Sequence, residues 1–469
     1  MKLSKATLGP IVGYTTASQS RIWFRGKFEA TGESSYRRCF GVLRYRKQGE
    51  SKWSNPLFNK MSPNFDMTCV LSIANLEPET LYEYQVGWIL IDAELEAFSQ
   101  IADSQFEWPE AIYTIQSGAG KEDSVRTYAI GSCRYMLKTF LGEIFDDRGD
   151  KTFRSILNQH EKQRLHGVMM VGDQIYADDL NLVSPDDELI EFLQRYRIVF
   201  GQEYIQKLMA TVPTYMILDD HEIEDDWPAK ATEKDKLTLY PKAIHAYQIY
   251  QCSHSPLFTA DKDGRIEGTL QKFWYTFSDG CVEWFVMDCR TERILTKNLW
   301  QMVKAEQLRA LVSWITDGSK LVKMIVTSVP FVPDLESESN DKWSAFPQQR
   351  DQILQAIDSV QNPKIVFVSG DVHCSYVAQI TKSRQKKLLA YQIVSSSFFW
   401  PYPHMMKDGF SDGKALKTVK DGKKYVANFV TDVYSDDNFA RLDITMNGID
   451  VSFFERKGDQ LGSTYKIVF

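Results

Sequence analysis

Short apolar runs alternate with helix-like stretches from about residue 119 to 377, and a polar residue able to do chemistry follows each run. This alternation predicts a layered α/β domain. Helical spacing predicts helices at 151–162, 186–209, 238–250, 303–316 and 347–360. The apolar runs lead into Gly131-Ser132-Cys133-Arg134, Gly172-Asp173, Asp219-Asp220-His221-Glu222, Asp288-Cys289-Arg290, Thr327-Ser328 and Ser369-Gly370-Asp371-Val372-His373.

The run at 168–171 has the most informative ending. It breaks at Gly172, the next residue is Asp173, and Tyr176 follows three residues later. Ligands of open α/β sheets bind beyond the carboxyl ends of the strands. A strand that ends here therefore places a carboxylate in that crevice on a rigid support. The other run endings predict that several strands deliver side chains to a single site.

The first part of the chain has a different pattern. Residues 1–118 show short alternating segments, such as 20–25, 40–46 and 81–86, separated by Gly, Ser, Asn and Pro turns. This pattern predicts an immunoglobulin- or fibronectin-like β-sandwich domain over 1–118. A linker at 116–123 leads into a catalytic domain over 119–469. The strand-like segments after 378 predict a second sheet packed on the first.

Composition excludes several classes of protein. Of the 469 residues, 43% are hydrophobic and 25% charged, which is typical of a soluble globular protein. A net charge of −7 gives no nucleic-acid footprint, and no apolar run approaches the roughly 20 residues of a membrane span. Seven scattered cysteines and the lack of an export signal favour a cytoplasmic protein with reduced thiols. The oligomeric state stays open.

The residues after the apolar runs favour metal chemistry. Carboxylates and a phenolate suit hard cations, whereas a thiolate and an imidazole admit a transition metal. Two metal ions bridged by Asp173 would polarise a phosphoryl oxygen and activate a water molecule. His221 would protonate the leaving oxygen, and Arg134 would clamp phosphate bidentately. The candidate ligands and catalytic groups are Cys133, Asp173, Tyr176, Asp220, His221, Asp371 and His373.

Taken together, the motif blocks resemble the PhoD-like alkaline phosphatase/phosphodiesterase family of the calcineurin-like metallophosphatases. The blocks are Gly131-Ser132-Cys133, Gly172-Asp173-Gln174-Ile175-Tyr176, Asp219-Asp220-His221-Glu222, Asp288-Cys289-Arg290, Asp341-Lys342-Trp343 and Gly370-Asp371-Val372-His373, with Gly9-Pro10-Ile11-Val12-Gly13 near the start. The resemblance implies a four-layer α/β/β/α metal domain behind a β-sandwich, with Fe3+ and Ca2+ as the metals. It assigns Cys133, Asp173 and Tyr176 to iron, Asp220 and Asp371 to the second site with His373 at the same centre, and His221 to the phosphate.

The chain departs from the pattern in three places. Family members usually carry an export signal, and this sequence shows none. Ser328 stands where the wider superfamily has a histidine ligand, which predicts oxygen-rich coordination at the second metal. Asp219 stands where that superfamily has glycine.

The sequence therefore predicts a metal-dependent hydrolase of phosphoric esters in which an activated hydroxide attacks phosphorus and His221 assists the leaving group. One alternative is a diesterase for phospholipid, nucleotide or polymer diesters. Another is a non-catalytic regulatory or binding protein with a structural metal site. Gly409-Phe410-Ser411-Asp412-Gly413 fits the spacing of a serine-hydrolase elbow, but it lacks the required preceding strand, so a loop is predicted.

Overall fold

The computed structural model describes residues 1–28, 38–136, 147–178, 185–337, 340–383, 386–419 and 424–469. Its α-helices are α1 (Leu95–Phe98), α2 (Arg148–Lys162), α3 (Leu189–Phe200), α4 (Glu203–Met209), α5 (Glu233–Thr238), α6 (Tyr240–Tyr247), α7 (Ala305–Ile315) and α8 (Pro347–Ser359). A π-helix spans Gln248–Cys252. Among the residues described, no helix is both long enough and apolar enough to cross a bilayer.

The strands of the first quarter of the chain are β1 (Leu8–Thr15), β2 (Gln19–Arg25), β3 (Arg38–Lys47), β4 (Leu57–Met61), β5 (Thr68–Ala74), β6 (Leu81–Ile91) and β7 (Tyr113–Gln116). The later strands are β8 (Arg126–Gly131), β9 (Gly167–Met170), β10 (Thr214–Met216), β11 (Thr259–Ala260), β12 (Ile266–Glu267), β13 (Tyr275–Asp279), β14 (Val282–Val286), β15 (Ile294–Leu295), β16 (Trp300–Gln301), β17 (Val322–Val326), β18 (Ile365–Ser369), β19 (Tyr376–Lys382), β20 (Lys387–Val394), β21 (Tyr425–Phe429), β22 (Asn438–Thr445), β23 (Gly448–Glu455) and β24 (Gln460–Val468).

Two large sheets form the centre of the fold. One has the order β10-β9-β8-β22-β23-β24 and the other β13-β14-β17-β18-β20-β19-β21. Alternate side chains of both sheets, such as Ile130 and Met169 from one and Trp284 and Val366 from the other, share one apolar core. Each sheet also has an opposite apolar face that helices cover, α2, α3, α4 and α6 on the first and α7 and α8 on the second. The predicted α/β/β/α layering is confirmed.

The N-terminal strands form a β-sandwich, as predicted. Sheet β1-β2-β5 faces sheet β4-β3-β6-β7 across a core that contains Phe24 and Tyr84. The outer face of the smaller sheet packs against the helical layer, where the Trp23 Nε1 donates a hydrogen bond to the Ile249 carbonyl at 3.0 Å. The sandwich is therefore built into the larger core, and the boundary at residue 118 stays a prediction.

The predicted sheet assignment of the C-terminal strands is partly wrong. β19, β20 and β21 do belong to the seven-stranded sheet, but β22, β23 and β24 extend the six-stranded sheet. β22 pairs antiparallel with β8, for example Leu442 with Tyr128. Because β8 would otherwise be an open sheet edge beside the site, this pairing satisfies its backbone groups. Nothing in the local sequence shows which of these C-terminal strands join the seven-stranded sheet and which join the six-stranded sheet.

The predicted helix at 186–209 is two helices. α3 ends at Phe200, and α4 begins at Glu203 after Gly201 and Gln202. The Asp150 carboxylate of α2 accepts hydrogen bonds from the amides of Tyr204 and Ile205, at 2.8 and 3.0 Å. A carboxylate at a helix N-terminus satisfies amides that have no partner within the helix. The other predicted helices correspond to α2, α6, α7 and α8.

His254, at the contact between the sandwich and the helices, predicts a pH-dependent stability. Burial lowers its pKa to about 4, while the unfolded chain titrates near 6.5. Between these values the unfolded state binds the additional proton, so the free energy of unfolding falls as pH falls. Between pH 7 and pH 5, the free energy of unfolding of the wild type should fall by about 2 kcal/mol more than that of His254→Gln. Urea denaturation at the two pH values measures this difference. A pH-independent difference would contradict this.

Candidate metal centre

The strand ends converge as the sequence pattern predicts. β8, β9 and β10 are parallel, as are β14, β17, β18 and β20. Loops that follow their carboxyl ends carry Cys133, Asp173, Asp220, Asp371 and His373. Parallel strands place such loops at one edge of a sheet, and the sheet-on-sheet packing brings the two edges together.

The first group of side chains contains a thiol, a carboxylate, a phenol and an imidazole. The Cys133 Sγ lies 3.3 Å from Asp173 Oδ2, and the Tyr176 hydroxyl lies 3.4 Å from that same oxygen. The His373 Nε2 lies 3.5 Å from the Tyr176 hydroxyl. The ligand atoms of Cys133, Asp173 and His373 all lie within 4.8 Å of one another. His373 thus lies with Cys133 and Asp173, and the metal it would bind stays a prediction.

The second group is made of carboxylates. Oxygens of Asp219, Asp220 and Asp371 lie within 4.8 Å of one another, and Asp220 also lies within that distance of Asp173 and His221. Asp173 thus belongs to one set with Cys133 and another with Asp220. The Asp173 carboxylate therefore lies between these two sets of side chains.

Several of these residues have a left-handed backbone. The φ angles are 57° at Cys133, 54° at Asp173, 72° at Asp371 and 51° at His373. Non-glycine residues seldom adopt positive φ, and such conformations concentrate at functional sites. Gly172 has a φ of 102°, and a Cβ there would meet the Asp219 side chain at 2.6 Å. The glycine therefore lets the Asp173 and Asp219 loops approach closely.

Glu222 holds two of these loops together. Its carboxylate accepts hydrogen bonds from the amides of Asp219 at 2.8 Å and Gln174 at 2.6 Å, and lies 3.3 Å from the Asp173 amide. Glu222 is completely buried. It fixes the spacing between the Asp173 and Asp220 loops.

The electrostatics of the first group favour a bound cation. Burial and the neighbouring Asp219 raise the pKa of Asp173 well above its ordinary value. Burial and Asp173 likewise raise the pKa of the Cys133 thiol. The buried Asp173 Oδ1 accepts no hydrogen bond within the described part of the chain. A buried carboxylate oxygen without a partner is costly, and a metal ion would satisfy it. Thiolate, phenolate, imidazole and carboxylate together suit a transition metal.

His221 has a carboxylate partner that the sequence reasoning passed over. Its Nδ1 lies 2.8 Å from Asp178 Oδ2. Burial opposes protonation of the imidazole, but Asp178 and Asp220 outweigh this effect and raise the pKa of His221 well above 6.5. Asp178 comes two residues after Tyr176, and no sequence signal separates it from Asp179. Asp179 lies outside the described residues.

Arg134 does not point into the site, which corrects its predicted role as a phosphate clamp. Its guanidinium donates to the Val199 carbonyl at 2.7 Å, lies 3.4 Å from Asp150 and covers the Phe153 ring. The side chain is fully buried in the helical layer. Because its polar partners are internal, Arg134 stabilises the packing of α2 and α3.

Arg290 is the buried cation at the centre of the acidic groups. It donates to Asp219 and Asp341, and it lies 3.4 Å from Asp220. Asp288, two residues earlier in the chain, accepts hydrogen bonds from the backbone amides of residues 290 and 291. Lys342 contacts Asp341 and Asp371. The sequence did not identify Lys342 or Asp341 as parts of this cluster.

A cleft opens onto the site. Its volume is about 690 Å³, and its lining includes Asp371, His373 and Lys342. The lining also includes the largely apolar side chains of Trp400, Tyr402, Met405 and Met406. The Trp400 ring stacks on His373 with centroids 3.6 Å apart. Pockets of this size accommodate a small organic molecule. The serine of Gly409-Phe410-Ser411-Asp412-Gly413 lies outside any helix or strand, as predicted.

Comparisons with known proteins identify the family and the fold. The sequence model of the PhoD-like phosphatase family matches residues 145–415, more than half of the 469-residue chain. A solved structure of PhoD superposes with a TM-score of 0.71 at 16% identity, and the match covers 98% of this chain and 89% of that one. GAP50, the anchor in the inner membrane complex of Plasmodium, matches at 13% identity over 73% of this chain and 89% of its own, with a TM-score of 0.41. A comparison with curated proteins found no match.

Proposed function

The chain belongs to the PhoD-like phosphatase family, an enzyme family of phosphoesterases, and from this premise we propose that it hydrolyses phosphoric esters at the two groups built around Asp173. The observation that carries the proposal is the shared position of Asp173, which lies with Cys133 and His373 on one side and with Asp220 and His221 on the other. A site of this form can hold two cations on either side of one carboxylate.

We propose that Cys133, Asp173, Tyr176 and His373 would hold Fe3+. The oxygen-only second group, Asp219, Asp220 and Asp371, suits Ca2+ better, because hard cations prefer oxygen ligands. Ser328, whose hydroxyl is buried nearby in the β17 loop, adds no nitrogen ligand. When bound, metal ions supply Lewis-acid stabilisation of phosphoryl charge and make a water molecule acidic.

His221 would supply the proton for the leaving group. Because its Nδ1 is engaged by Asp178, the Nε2 is the nitrogen free to face a substrate. A carboxylate partner fixes both the ring orientation and the tautomer. The imidazole is thereby held ready to protonate the oxygen that departs from phosphorus.

The cleft would receive the organic part of the ester. With the phosphoryl group at Asp371 and His373, the remainder of the substrate lies along the wall of Trp400 and Tyr402. The Tyr402 side chain is 37% exposed, so a substrate ring can reach it. An aromatic contact of this kind contributes roughly 0.5–1.5 kcal/mol.

Tyr402→Ala is expected to raise KM for nitrophenyl phosphate about three- to tenfold and to leave kcat nearly unchanged. Glycerol phosphate, which has no ring, should show little change. Tyr402→Phe keeps the ring and serves as the control. Equal losses for both substrates would show that Tyr402 acts through the structure of the site and not through the substrate.

The function itself is tested by elemental analysis of the purified protein combined with a phosphoester screen. We expect turnover of nitrophenyl phosphate, and a comparison with the bis-nitrophenyl ester separates monoesterase from diesterase activity. A metal-loaded protein that is inert on every phosphoester would instead favour a binding or regulatory role.

We also propose a cytoplasmic location, which the seven unpaired, buried cysteines support. Fractionation of cells that express the natural gene tests this proposal. Recovery of the protein outside the cytoplasmic fraction would overturn it.

A further inference from the structure

Lys342 occupies an unusual position for a lysine. It precedes the short 3-10 helix Trp343–Ala345, and its ammonium contacts the carboxylates of Asp341 and Asp371. The side chain is only 15% exposed, yet it lines the open cleft. A positive charge therefore stands against one of the three carboxylates of the second group, on the side that solvent can reach.

The two groups differ in how their charge is balanced. Within the described residues, no lysine or arginine forms an ion pair with Asp173 of the first group. In the second group, Arg290 pairs with Asp219 and lies 3.4 Å from Asp220 and 3.9 Å from Asp371, while Lys342 contacts Asp371 directly. The first group therefore has the imidazole of His221 beside Asp173 but no pairing lysine or arginine in the described part of the chain, whereas an arginine and a lysine already pair with carboxylates of the second group.

The side chains of Arg290 and Lys342 also differ in how tightly the surrounding structure holds them. Arg290 is fully buried and is held by Asp219, Asp341 and the Trp227 carbonyl. Lysine is a compact point charge on a flexible four-carbon stem, and the cleft beside Lys342 gives it room to withdraw. Lys342 can therefore leave Asp371 when another cation arrives, but Arg290 cannot leave its partners.

We propose that Lys342 is an internal cation of the second group that competes with a divalent metal ion for Asp371. It stabilises the second group when no metal is bound there and weakens metal binding at that group alone. The first group then binds its metal tightly, while the metal of the second group exchanges with solvent. This inference rests on the proposed function for its relevance to catalysis, but it concerns metal binding alone.

The test is a titration of the chelator-treated, iron-reloaded full chain with Ca2+ by isothermal titration calorimetry. Lys342→Met removes the charge and keeps an unbranched side chain only one heavy atom shorter. We expect it to bind one Ca2+ at least tenfold more tightly than the wild type does, with the iron content unchanged. Lys342→Arg keeps the charge and should stay close to the wild type. Lys207→Met, which removes an exposed lysine of α4, is the matched control.

A second measurement uses the wild type and does not depend on the folding of a variant. If Ca2+ displaces the ammonium from Asp371, acetylation of Lys342 followed by mass spectrometry should become faster when Ca2+ is added, relative to Lys207. Unchanged Ca2+ affinity in Lys342→Met, or slower acetylation with Ca2+, would overturn the proposal. Both measurements report on Ca2+ binding and can be made on a protein that is inert on phosphoesters. Failure of this proposal can therefore be told apart from failure of the proposed function.

Discussion

Asp173→Asn is expected to lower the hydrolysis of nitrophenyl phosphate about a thousandfold or more and to remove metal from the purified protein. The substitution keeps the shape of the side chain but deletes the charge of the first group that also lies within 4.8 Å of Asp220 in the second. Metal ions contribute several kcal/mol of transition-state stabilisation, and about 1.4 kcal/mol corresponds to a factor of ten in rate. Loss of metal from both groups should therefore lower the rate of hydrolysis more than the removal of any other single ligand does.

The metal-free Asp173→Asn protein should fold normally. Burial and Asp219 raise the pKa of Asp173, so its charge is unfavourable in the absence of a cation. A neutral amide removes this repulsion, and the Tm of the metal-free variant should be no lower than that of the metal-free wild type. Asp263→Asn, at a surface carboxylate, controls for the loss of one charge. Near-normal turnover by a metal-loaded Asp173→Asn protein would exclude this site.

His221→Ala is the second substitution with a large expected effect, a fall in kcat of about 10² to 10⁴. A nitrophenolate departs without much need of a proton, whereas a simple alkoxide requires one. The loss should therefore be larger for an alkyl phosphate than for nitrophenyl phosphate. Elemental analysis should find the metal content retained. Loss of metal, or equal losses on both esters, would show that His221 acts as a ligand and not as an acid.

Asp178 is expected to act through His221 as a positioning residue. Asp178→Asn keeps the size of the side chain but weakens the contact at 2.8 Å with Nδ1, and such a partner contributes about 10- to 100-fold. The loss in Asp178→Asn should again be larger for the alkyl ester. In a His221→Ala background the same substitution should change kcat little, because its partner is gone.

The sequence determined the layered α/β class and most of the candidate site. Apolar runs that end in Gly172-Asp173 or Gly370-Asp371 specify buried strands with a polar residue at the carboxyl end. This information is local, because a strand and the residue that follows it are encoded by adjacent positions. The motif blocks added the family, and the match to residues 145–415 confirms it.

Only the tertiary structure decided which side chains meet. Arg134 follows Cys133 in the sequence but points into the helical layer toward Val199, whereas Lys342 reaches Asp371 from a separate segment. Asp178 became the partner of His221, and His373 joined Cys133 and Asp173. The direction of a side chain depends on backbone angles and on packing between distant segments, and no run of neighbouring residues encodes that packing.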